Sequence, residues 1–201
     1  MEANQQYLLD KHRKTDNKIE TLREYAEQNA VPIVDRLSLE MIKQLIRIHR
    51  AKNILEIGTA IGYSSMQFAS VSNDIHITTI ERDEEMITQA KSNFETYGYS
   101  SQIRLIEGNA LEQYNEVNDK QYDIIFIDAA KAQSKKFFEY YTPLLRNGGL
   151  VITDNDIVRS RNVKQMVKKV KKFNDWLISL ENYSTNFINM DDGLAISIKG
   201  E

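Results

Sequence analysis

The 201 residues of the chain suffice for one domain with a sizeable core, and its 41% hydrophobic content is ordinary for a globular protein. A formal net charge of −3 excludes a uniformly basic protein, so any contact with nucleic acid must come from a local basic patch. The absence of cysteine excludes disulfides, thiolate metal sites and a cysteine nucleophile. The polar first residues do not resemble a signal peptide, and no stretch approaches the roughly 20 apolar residues of a membrane helix, so we expect a soluble cytoplasmic protein.

Residues 1–50 are predicted to form amphipathic helices. Apolar residues recur at helical spacing in IETLREYAEQ and in SLEMIKQLIRIHR, where Ser38 is a potential helix cap. No linker rich in glycine, serine or proline follows these helices. We therefore predict a single domain over residues 1–201, in which N-terminal helices over 1–50 precede an α/β core over 51–201.

From residue 53 onward, apolar strand-like runs alternate with helical patterns. The runs are NILEIG, IHITTIE, IRLIEGN, YDIIFIDAA and LVITDND. This alternation predicts βαβ units and a parallel sheet with helices on both faces. The last segment differs, because two strand-like runs flank Asp191-Asp192-Gly193, a sequence that favours a tight antiparallel hairpin. A mostly parallel, seven-stranded sheet that ends in an antiparallel hairpin is a Rossmann-like arrangement typical of class I methyltransferases.

The first predicted strand leads into a glycine-containing turn, LEIGTAIGYSS, with Gly58 and Gly62. Glycine lets the backbone approach a ligand closely, and an acidic residue at the end of the next strand, here Glu81, is the expected partner of ribose hydroxyls. The alternative is that Gly62 only turns the chain and that Glu81 faces solvent. The spacing lacks the diphosphate-binding fingerprint of dinucleotide enzymes, which favours S-adenosylmethionine over NAD as the ligand.

Oxygen-bearing side chains end two successive strands of the predicted sheet. Asp128 follows DIIFI, and Asp154 and Asn155 follow LVIT. If the strands are neighbours, these side chains meet at one edge, where two carboxylates and one amide oxygen suit Mg²⁺ or another hard divalent cation. Taken singly, Asp154 and Asn155 are also consistent with a turn, and Asp128 with a helix cap. Their coincidence at two strand ends favours the metal site.

Lys131 follows the first of these carboxylates by three residues, in the sequence DAAK. A lysine beside a metal ion can have a lowered pKa and can then act as a base toward a hydroxyl group. The alternative is a solvated lysine on the first turn of a helix.

Several motifs together carry a family resemblance. ILEIGTAIGYSS, IER, EGNA, FIDAAK, ITDN and DGLAISIK resemble the metal-dependent class I O-methyltransferases of the catechol and caffeoyl-CoA type, from about Val31 to the C-terminus. Within this family, VPIVD, FIDAAK and DGLAISIK are most similar to bacterial enzymes that methylate 5-hydroxyuridine in tRNA. The resemblance implies methyl transfer from S-adenosylmethionine to the 5-hydroxyl group of 5-hydroxyuridine at the tRNA wobble position, which gives 5-methoxyuridine. The alternative it implies is a small-molecule O-methyltransferase that acts on catechol-like vicinal hydroxyls.

The resemblance also implies roles for the matching positions. The implied metal ligands are Asp128, Asp154 and Asn155, and the implied catalytic residues are Lys131 and Asp128. The implied cofactor contacts are Val34, Gly58, Ser64, Glu81, Asn109, Ala110 and Asp128. Position 109 is commonly aspartate in the family, but the side-chain oxygen of Asn109 can still accept a hydrogen bond from the adenine amino group. Val34 stands where the family often has methionine.

A basic segment, RSRNVKQMVKKVKKF, precedes the predicted hairpin and has the apolar spacing of a helix. Its basic residues are Arg159, Arg161, Lys164, Lys168, Lys169, Lys171 and Lys172. Clustered lysines and arginines near an active-site edge suit a phosphate backbone, which favours tRNA as the partner. The alternative is an ordinary solvated helix face.

Three classes of function therefore compete: an RNA methyltransferase, a small-molecule O-methyltransferase and a nucleotide-binding domain without catalytic activity. The oxygen cluster with Lys131 argues against the third class, and the basic helix favours the first over the second. We expect no membrane partner. Because the related enzymes are often dimers, we also expect a homodimer. The N-terminal helices are consistent both with a dimer interface and with a cover over the cofactor.

Overall fold

The computed structural model describes residues 17–129, 131–154, 163–189 and 193–200, together with Tyr7 and Lys11. The described helices are α1 (Asn17–Gln28), α2 (Arg36–His49), α3 (Tyr63–Ala69), α4 (Glu84–Thr96), α5 (Tyr114–Val117), α6 (Ser134–Tyr141) and α7 (Val163–Ile178). Short 3-10 turns lie at Lys131–Gln133 and Thr142–Leu144. The strands are β1 (Asn53–Ile57), β2 (His76–Glu81), β3 (Ile103–Glu107), β4 (Tyr122–Ile127), β5 (Leu145–Asp154), β6 (Tyr183–Ile188) and β7 (Leu194–Lys199).

The strands form one seven-stranded sheet in the order β3-β2-β1-β4-β5-β7-β6. β1 to β5 pair in parallel, whereas β7 pairs antiparallel with both β5 and β6. This confirms the predicted Rossmann-like α/β fold with its C-terminal antiparallel hairpin. The strand order reverses between β1 and β4, and a crevice for ligands is expected at such a switch point, outside the carboxyl ends of the strands.

Helices cover both faces of the sheet, as the continuous apolar runs predicted. Successive residues of a strand point to opposite faces, so Ile54 and Leu55 of β1 belong to two different hydrophobic clusters. The cluster around Ile54 includes residues of α1 to α4, and the cluster around Leu55 includes residues of α5, α6 and α7. Both strand residues have no exposed surface.

The N-terminal helices pack onto the same face of the sheet as α3 and α4. Ile19 of α1 and Ile42 of α2 are buried in the first cluster. The side chain that caps α2 is Asp35, whose Oδ1 accepts a hydrogen bond of 3.0 Å from the backbone N of Ser38. The prediction that Ser38 is the cap was wrong, because this residue lies inside the first turn and is buried. Within the described ranges, none of the helices has the length and apolar character needed to cross a membrane.

Candidate active site

A cleft of about 610 Å³ lies at the carboxyl ends of β1 to β4, a size typical of small-molecule sites. Most of the predicted cofactor contacts line it. They are Gly58, Ser64, Glu81, Asn109, Ala110 and Asp128. Val34 is not among the lining residues, because its side chain is buried in the core and 1% exposed. The neighbouring Pro32 and Ile33 line the cleft instead.

The turn after β1 depends on glycine for geometric reasons. Gly58 has a φ of +102°, and a Cβ added to it would lie 2.4 Å from the carbonyl oxygen of Asp128. Gly62 has a φ of +82°, and a Cβ there would lie 2.4 Å from the ring of Phe94. The backbone of the turn therefore lies directly against the end of β4 and against α4, where no side chain fits.

The carboxylate of Glu81 holds this turn in place from the end of β2. One of its oxygens accepts hydrogen bonds from the backbone N atoms of Thr59 at 3.1 Å and Ala60 at 2.9 Å. The other accepts from the backbone N atoms of Arg82 at 2.8 Å and Asp83 at 3.1 Å. Glu81 thus lines the cleft with a carboxylate whose orientation is fixed by four backbone donors. The alternative that it only faces solvent is wrong.

Glu56, which the sequence interpretation missed, lies fully buried beneath the same turn. Its carboxylate accepts hydrogen bonds from the hydroxyls of Ser64 at 2.5 Å, Thr79 at 2.7 Å and Ser65. Burial raises the pKa of Glu56 to about 7, the three hydroxyls oppose this effect, and the nearby charge of Asp128 adds to it. Glu56 therefore fixes the hydroxyl of Ser64, which lines the cleft. A glutamate inside an otherwise apolar strand was the available signal.

The wall of the cleft after β3 is fixed by local hydrogen bonds. The side-chain oxygen of Asn109 accepts from the backbone N of Leu111 at 3.2 Å, and its Nδ2 donates to Glu112 at 3.2 Å. The hydroxyl of Tyr141, from α6, donates to the carbonyl oxygen of Ala110. Burial raises the pKa of Tyr141, which keeps this hydroxyl a donor. The oxygen of Asn109 that was predicted to meet adenine thus already has a backbone donor.

The two predicted metal-binding carboxylates lie at neighbouring strand ends. Ile127 of β4 is paired in register with Thr153 of β5, so Asp128 and Asp154 occupy adjacent positions on the two strands. Asp128 is half-buried and lines the cleft, and Asp154 is 9% exposed. The third predicted ligand, Asn155, lies outside the described residues, as does the side chain of Lys131.

Two carboxylates at one sheet edge are the donor type that hard divalent cations prefer, so the residues present fit the predicted metal. Among the described residues, no group of three or more His, Cys, Asp or Glu side chains is arranged to hold a metal ion. The predicted set contains only two such residues within the described ranges. Its metal-binding role therefore stays a prediction.

The predicted basic helix is confirmed as an amphipathic helix, α7. Val170, Phe173 and Leu177 are buried, and the last two belong to the hydrophobic cluster around Leu55. The described lysines on its outer surface are exposed. They are Lys168, Lys169, Lys171 and Lys172. α7 also packs against the turn Lys131–Gln133, and Gln133 lines the cleft. The helix that carries the exposed lysines therefore lies beside a turn at the edge of the candidate site. Arg159, Arg161 and the side chain of Lys164 lie outside the described residues.

Comparison with known proteins places the chain in a family. Residues 9–199 match the family model described as O-methyltransferase. A catechol O-methyltransferase of Niastella koreensis is 28% identical over 173 residues, which cover 79% of this chain and 78% of the relative.

Solved structures agree with this match. The crystal structure of a candidate caffeoyl-CoA O-methyltransferase from Staphylococcus aureus is 67% identical, with a TM-score of 0.92, and the match covers 98% of this chain and 100% of that one. An O-methyltransferase from Bacillus cereus, solved in complex with SAH, is 25% identical, with a TM-score of 0.84 and coverage of 98% and 97%. Because the family model spans nearly the whole chain and the fold and cleft agree with it, the chain belongs to the O-methyltransferase family and is an S-adenosylmethionine-dependent O-methyltransferase.

Proposed function

We propose that this enzyme transfers the methyl group of S-adenosylmethionine to the 5-hydroxyl of 5-hydroxyuridine at the wobble position of tRNA, with the help of a divalent cation such as Mg²⁺. The observation that carries this proposal is the adjacency of two features. The cleft built around Gly58 and Glu81 reaches Asp128, and Asp128 lies beside Asp154 on the neighbouring strand. A methyl donor in the cleft would thus lie next to a hydroxyl held at the two carboxylates.

On the cofactor side, the main contribution of the protein is to position S-adenosylmethionine. Gly58 lets the turn pack directly against the end of β4, and the carboxylate of Glu81, which lines the cleft, would accept hydrogen bonds from ribose hydroxyls. Ser64, held by Glu56, presents a hydroxyl at the opposite end of the turn. Asn109 and Ala110 form the wall assigned to the adenine base. A cofactor fixed in this way can present its methyl group in line with the acceptor oxygen, which is a contribution of orientation.

On the acceptor side, Asp128, Asp154 and Asn155 would hold the cation. A bound divalent cation lowers the pKa of a hydroxyl that coordinates it. The 5-hydroxyl and 4-carbonyl oxygens of 5-hydroxyuridine offer two adjacent ligands of the required type. Lys131, whose backbone lies in the turn directly after β4, would accept the hydroxyl proton at its Nζ atom.

The position of the basic helix supports an RNA substrate. The exposed lysines of α7 belong to a helix that packs against the turn Lys131–Gln133 at the edge of the cleft. A phosphate backbone lying along α7 could therefore place one base at the cleft. Charge neutralisation by lysine is the main sequence-independent contribution to RNA binding.

A second candidate substrate is a small phenol with vicinal hydroxyls. It is favoured by the name of the Niastella koreensis relative, a catechol O-methyltransferase. The two ring hydroxyls of a catechol offer the same pair of metal ligands, so the cleft itself suits both substrates.

The test is methyl transfer from labelled S-adenosylmethionine to tRNA that carries 5-hydroxyuridine, with Mg²⁺ or with EDTA, beside a catechol. We expect labelling of the tRNA that is lost in EDTA and restored by added Mg²⁺. Transfer to the catechol alone would keep the enzyme class and replace the substrate. Transfer to tRNA that persists in EDTA would contradict the metal site.

A further inference from the structure

One buried arginine connects the N-terminal helix α1 to the cleft. Arg23 is 8% exposed, and its guanidinium lies over the ring of Tyr63, 4.9 Å from the ring centroid. Its Nε donates to the hydroxyl of Tyr63 at 3.1 Å, and its Nη2 donates to the carbonyl oxygen of Val34 at 2.7 Å. Its Nη1 lies 3.6 Å from the carboxylate of Glu27. A single side chain thus spans three segments of the chain.

The partners of Arg23 belong to two walls of the cleft. Tyr63 begins α3 and itself lines the cleft, and Val34 directly follows the lining residues Pro32 and Ile33. The hydroxyl of Tyr63 also donates to Glu20 of α1 at 3.2 Å. The gap between these two walls is therefore set by contacts from α1, although α1 contributes no lining residue of its own.

The chemistry of the side chain matters here. Burying a guanidinium costs free energy, and an apolar residue of similar volume often stabilises a core equally well. Only arginine presents a rigid planar fork that can donate to two acceptors on different segments while it stacks on an aromatic ring. Lysine could keep the charge and one of these hydrogen bonds, but not the whole arrangement.

We infer that Arg23 is a positioning residue for the cofactor: it holds the segment 32–34 and the start of α3 at the separation that S-adenosylmethionine requires. In this role α1 is a structural part of the cofactor site, whichever substrate the enzyme methylates. The inference depends on the cofactor assignment but not on tRNA or the metal. Arg23 acts through Val34 and Tyr63, so its loss weakens cofactor binding more than turnover at saturating cofactor.

The experiment measures binding of S-adenosylhomocysteine by titration calorimetry to Arg23→Met, Arg23→Lys and Tyr63→Phe. We expect Arg23→Met to raise Kd by about tenfold, the size of one lost hydrogen bond to a charged group, and Arg23→Lys to restore part of the affinity. Tyr63→Phe keeps the ring and loses one acceptor, so a smaller increase is expected. If Arg23→Met does not fold, the two conservative variants still provide the test.

The matched control is Arg104→Met, which removes an exposed arginine of β3 that lies 3.8 Å from Glu116 and from Asp119 and does not line the cleft. Its Kd should equal that of the wild type. A steady-state assay on the substrate that the wild type methylates should show a raised KM for S-adenosylmethionine in Arg23→Lys with kcat nearly unchanged.

A purely structural role would lower the melting temperature of the Arg23 variants and leave Kd and KM unchanged, and this result would overturn the inference. A wild-type protein that binds no S-adenosylhomocysteine would overturn the cofactor assignment together with the inference. Normal binding by the wild type and by all variants would overturn the inference alone.

Discussion

The two sides of the active-site cleft are built in different ways. On the cofactor side, at the ends of β1 to β3, the charged groups are fixed by the protein itself. Glu81 accepts four backbone hydrogen bonds and Glu56 accepts three from hydroxyls. On the proposed acceptor side, the carboxylates of Asp128 and Asp154 stand at the ends of neighbouring strands, and α7 packs against the turn Lys131–Gln133.

This difference has a functional consequence. A site made from backbone donors, glycine geometry and buried carboxylates accepts one ligand shape, because moving any part of it disturbs the strands. A site made from projecting side chains on loops and on a helix surface can change its substrate by substitution without disturbing the sheet. The cofactor is therefore the part of the function that the fold specifies most strongly. In the proposed acceptor site, the exposed lysines of α7 can be replaced without disturbing the sheet.

The largest effect on stability and on cofactor binding should come from substitution of Gly58 on the cofactor side. In Gly58→Ala the new Cβ would meet the carbonyl oxygen of Asp128 at 2.4 Å, at a φ of +102° that alanine avoids. We expect destabilisation by more than about 3 kcal/mol and loss of S-adenosylhomocysteine binding. Urea unfolding and titration calorimetry measure the two effects.

Gly98→Ala is the matched control for this substitution. Gly98 has a φ of +78° but nothing within 4 Å of an added Cβ, so it isolates backbone strain from the clash. Gly98→Ala should lower the free energy of unfolding by about 1–2 kcal/mol and leave S-adenosylhomocysteine binding normal. Equal behaviour of the two variants would contradict the close approach of the turn to β4.

The second prediction concerns Asp154→Asn, which should lower turnover without affecting cofactor binding and so distinguish the acceptor side from the cofactor side. Asp154→Asn keeps the shape of a side chain that is not among the cleft-lining residues and removes its charge. If Asp154 is a metal ligand, methyl transfer should fall by about 10²–10³-fold and require more Mg²⁺, a loss of the size expected for a catalytic electrostatic contact. S-adenosylhomocysteine binding should stay within about twofold of the wild type, since Asp154 is remote from Glu81 on the sheet.

Asp74→Asn, in an exposed turn before β2, is the control for loss of one carboxylate. Asp74→Asn should leave both the rate of methyl transfer and the affinity for S-adenosylhomocysteine unchanged. An Asp154→Asn variant with wild-type activity at every Mg²⁺ concentration would remove Asp154 from the proposed metal site.

The third effect concerns the basic surface of the acceptor side. Lys168→Glu combined with Lys172→Glu reverses two exposed charges one helical turn apart on α7. For a tRNA substrate we expect kcat/KM to fall by about 30-fold, and its logarithm to depend less steeply on the logarithm of salt concentration, by roughly 0.7–0.9 per lost phosphate contact. The combination Arg47→Glu and Lys52→Glu makes the same charge change at the amino end of the sheet. An equal loss in both variants would show a general effect of net charge and would contradict binding along α7.

The sequence predicts those elements whose apolar residues recur at regular spacing. Alternating apolar runs predicted the parallel strands, and the Asp-Gly pair before the last run predicted the antiparallel hairpin. Gly58 and Glu81 could be predicted to lie together because the turn after the first strand needs glycine. The acidic residue at the end of the next strand follows it by about 20 residues. The strand register then brings Asp128 beside Asp154, which follows from parallel pairing of β4 and β5.

What the sequence did not predict depends on contacts between distant segments. β5 begins at Leu145, earlier than predicted, and its pairing with β4 shifts register between Tyr122 and Ile124, an irregularity that alternation of apolar residues does not indicate. Val34 is buried in the core and its carbonyl oxygen accepts a hydrogen bond from Arg23, a long-range contact that no local period encodes. Glu56 was missed because its three hydroxyl partners come from two different elements, α3 and β2.

The last prediction concerns the pH dependence of stability that the buried carboxylate of Glu56 causes on the cofactor side. Burial raises the pKa of Glu56 to about 7 from an ordinary value of 4.5, so between these pH values the folded protein holds a proton that the unfolded chain releases. The stability contributed by this proton is fully present below about pH 4.5 and is lost as pH rises through about 7. Glu56 should therefore lower the free energy of unfolding by at most about 1.4 kcal/mol for each pH unit in this window.

Glu56→Gln replaces the titrating group by a neutral side chain of the same shape, whose amide can still hydrogen-bond the hydroxyls of Ser64 and Ser65. Its urea unfolding curves should lack the downward slope between about pH 5 and 7 that the wild type shows. Glu95→Gln, at an exposed position on α4, should keep the wild-type slope. If Glu56→Gln keeps it as well, the carboxylate is ionised throughout this range, and its three hydroxyl donors outweigh the cost of burial.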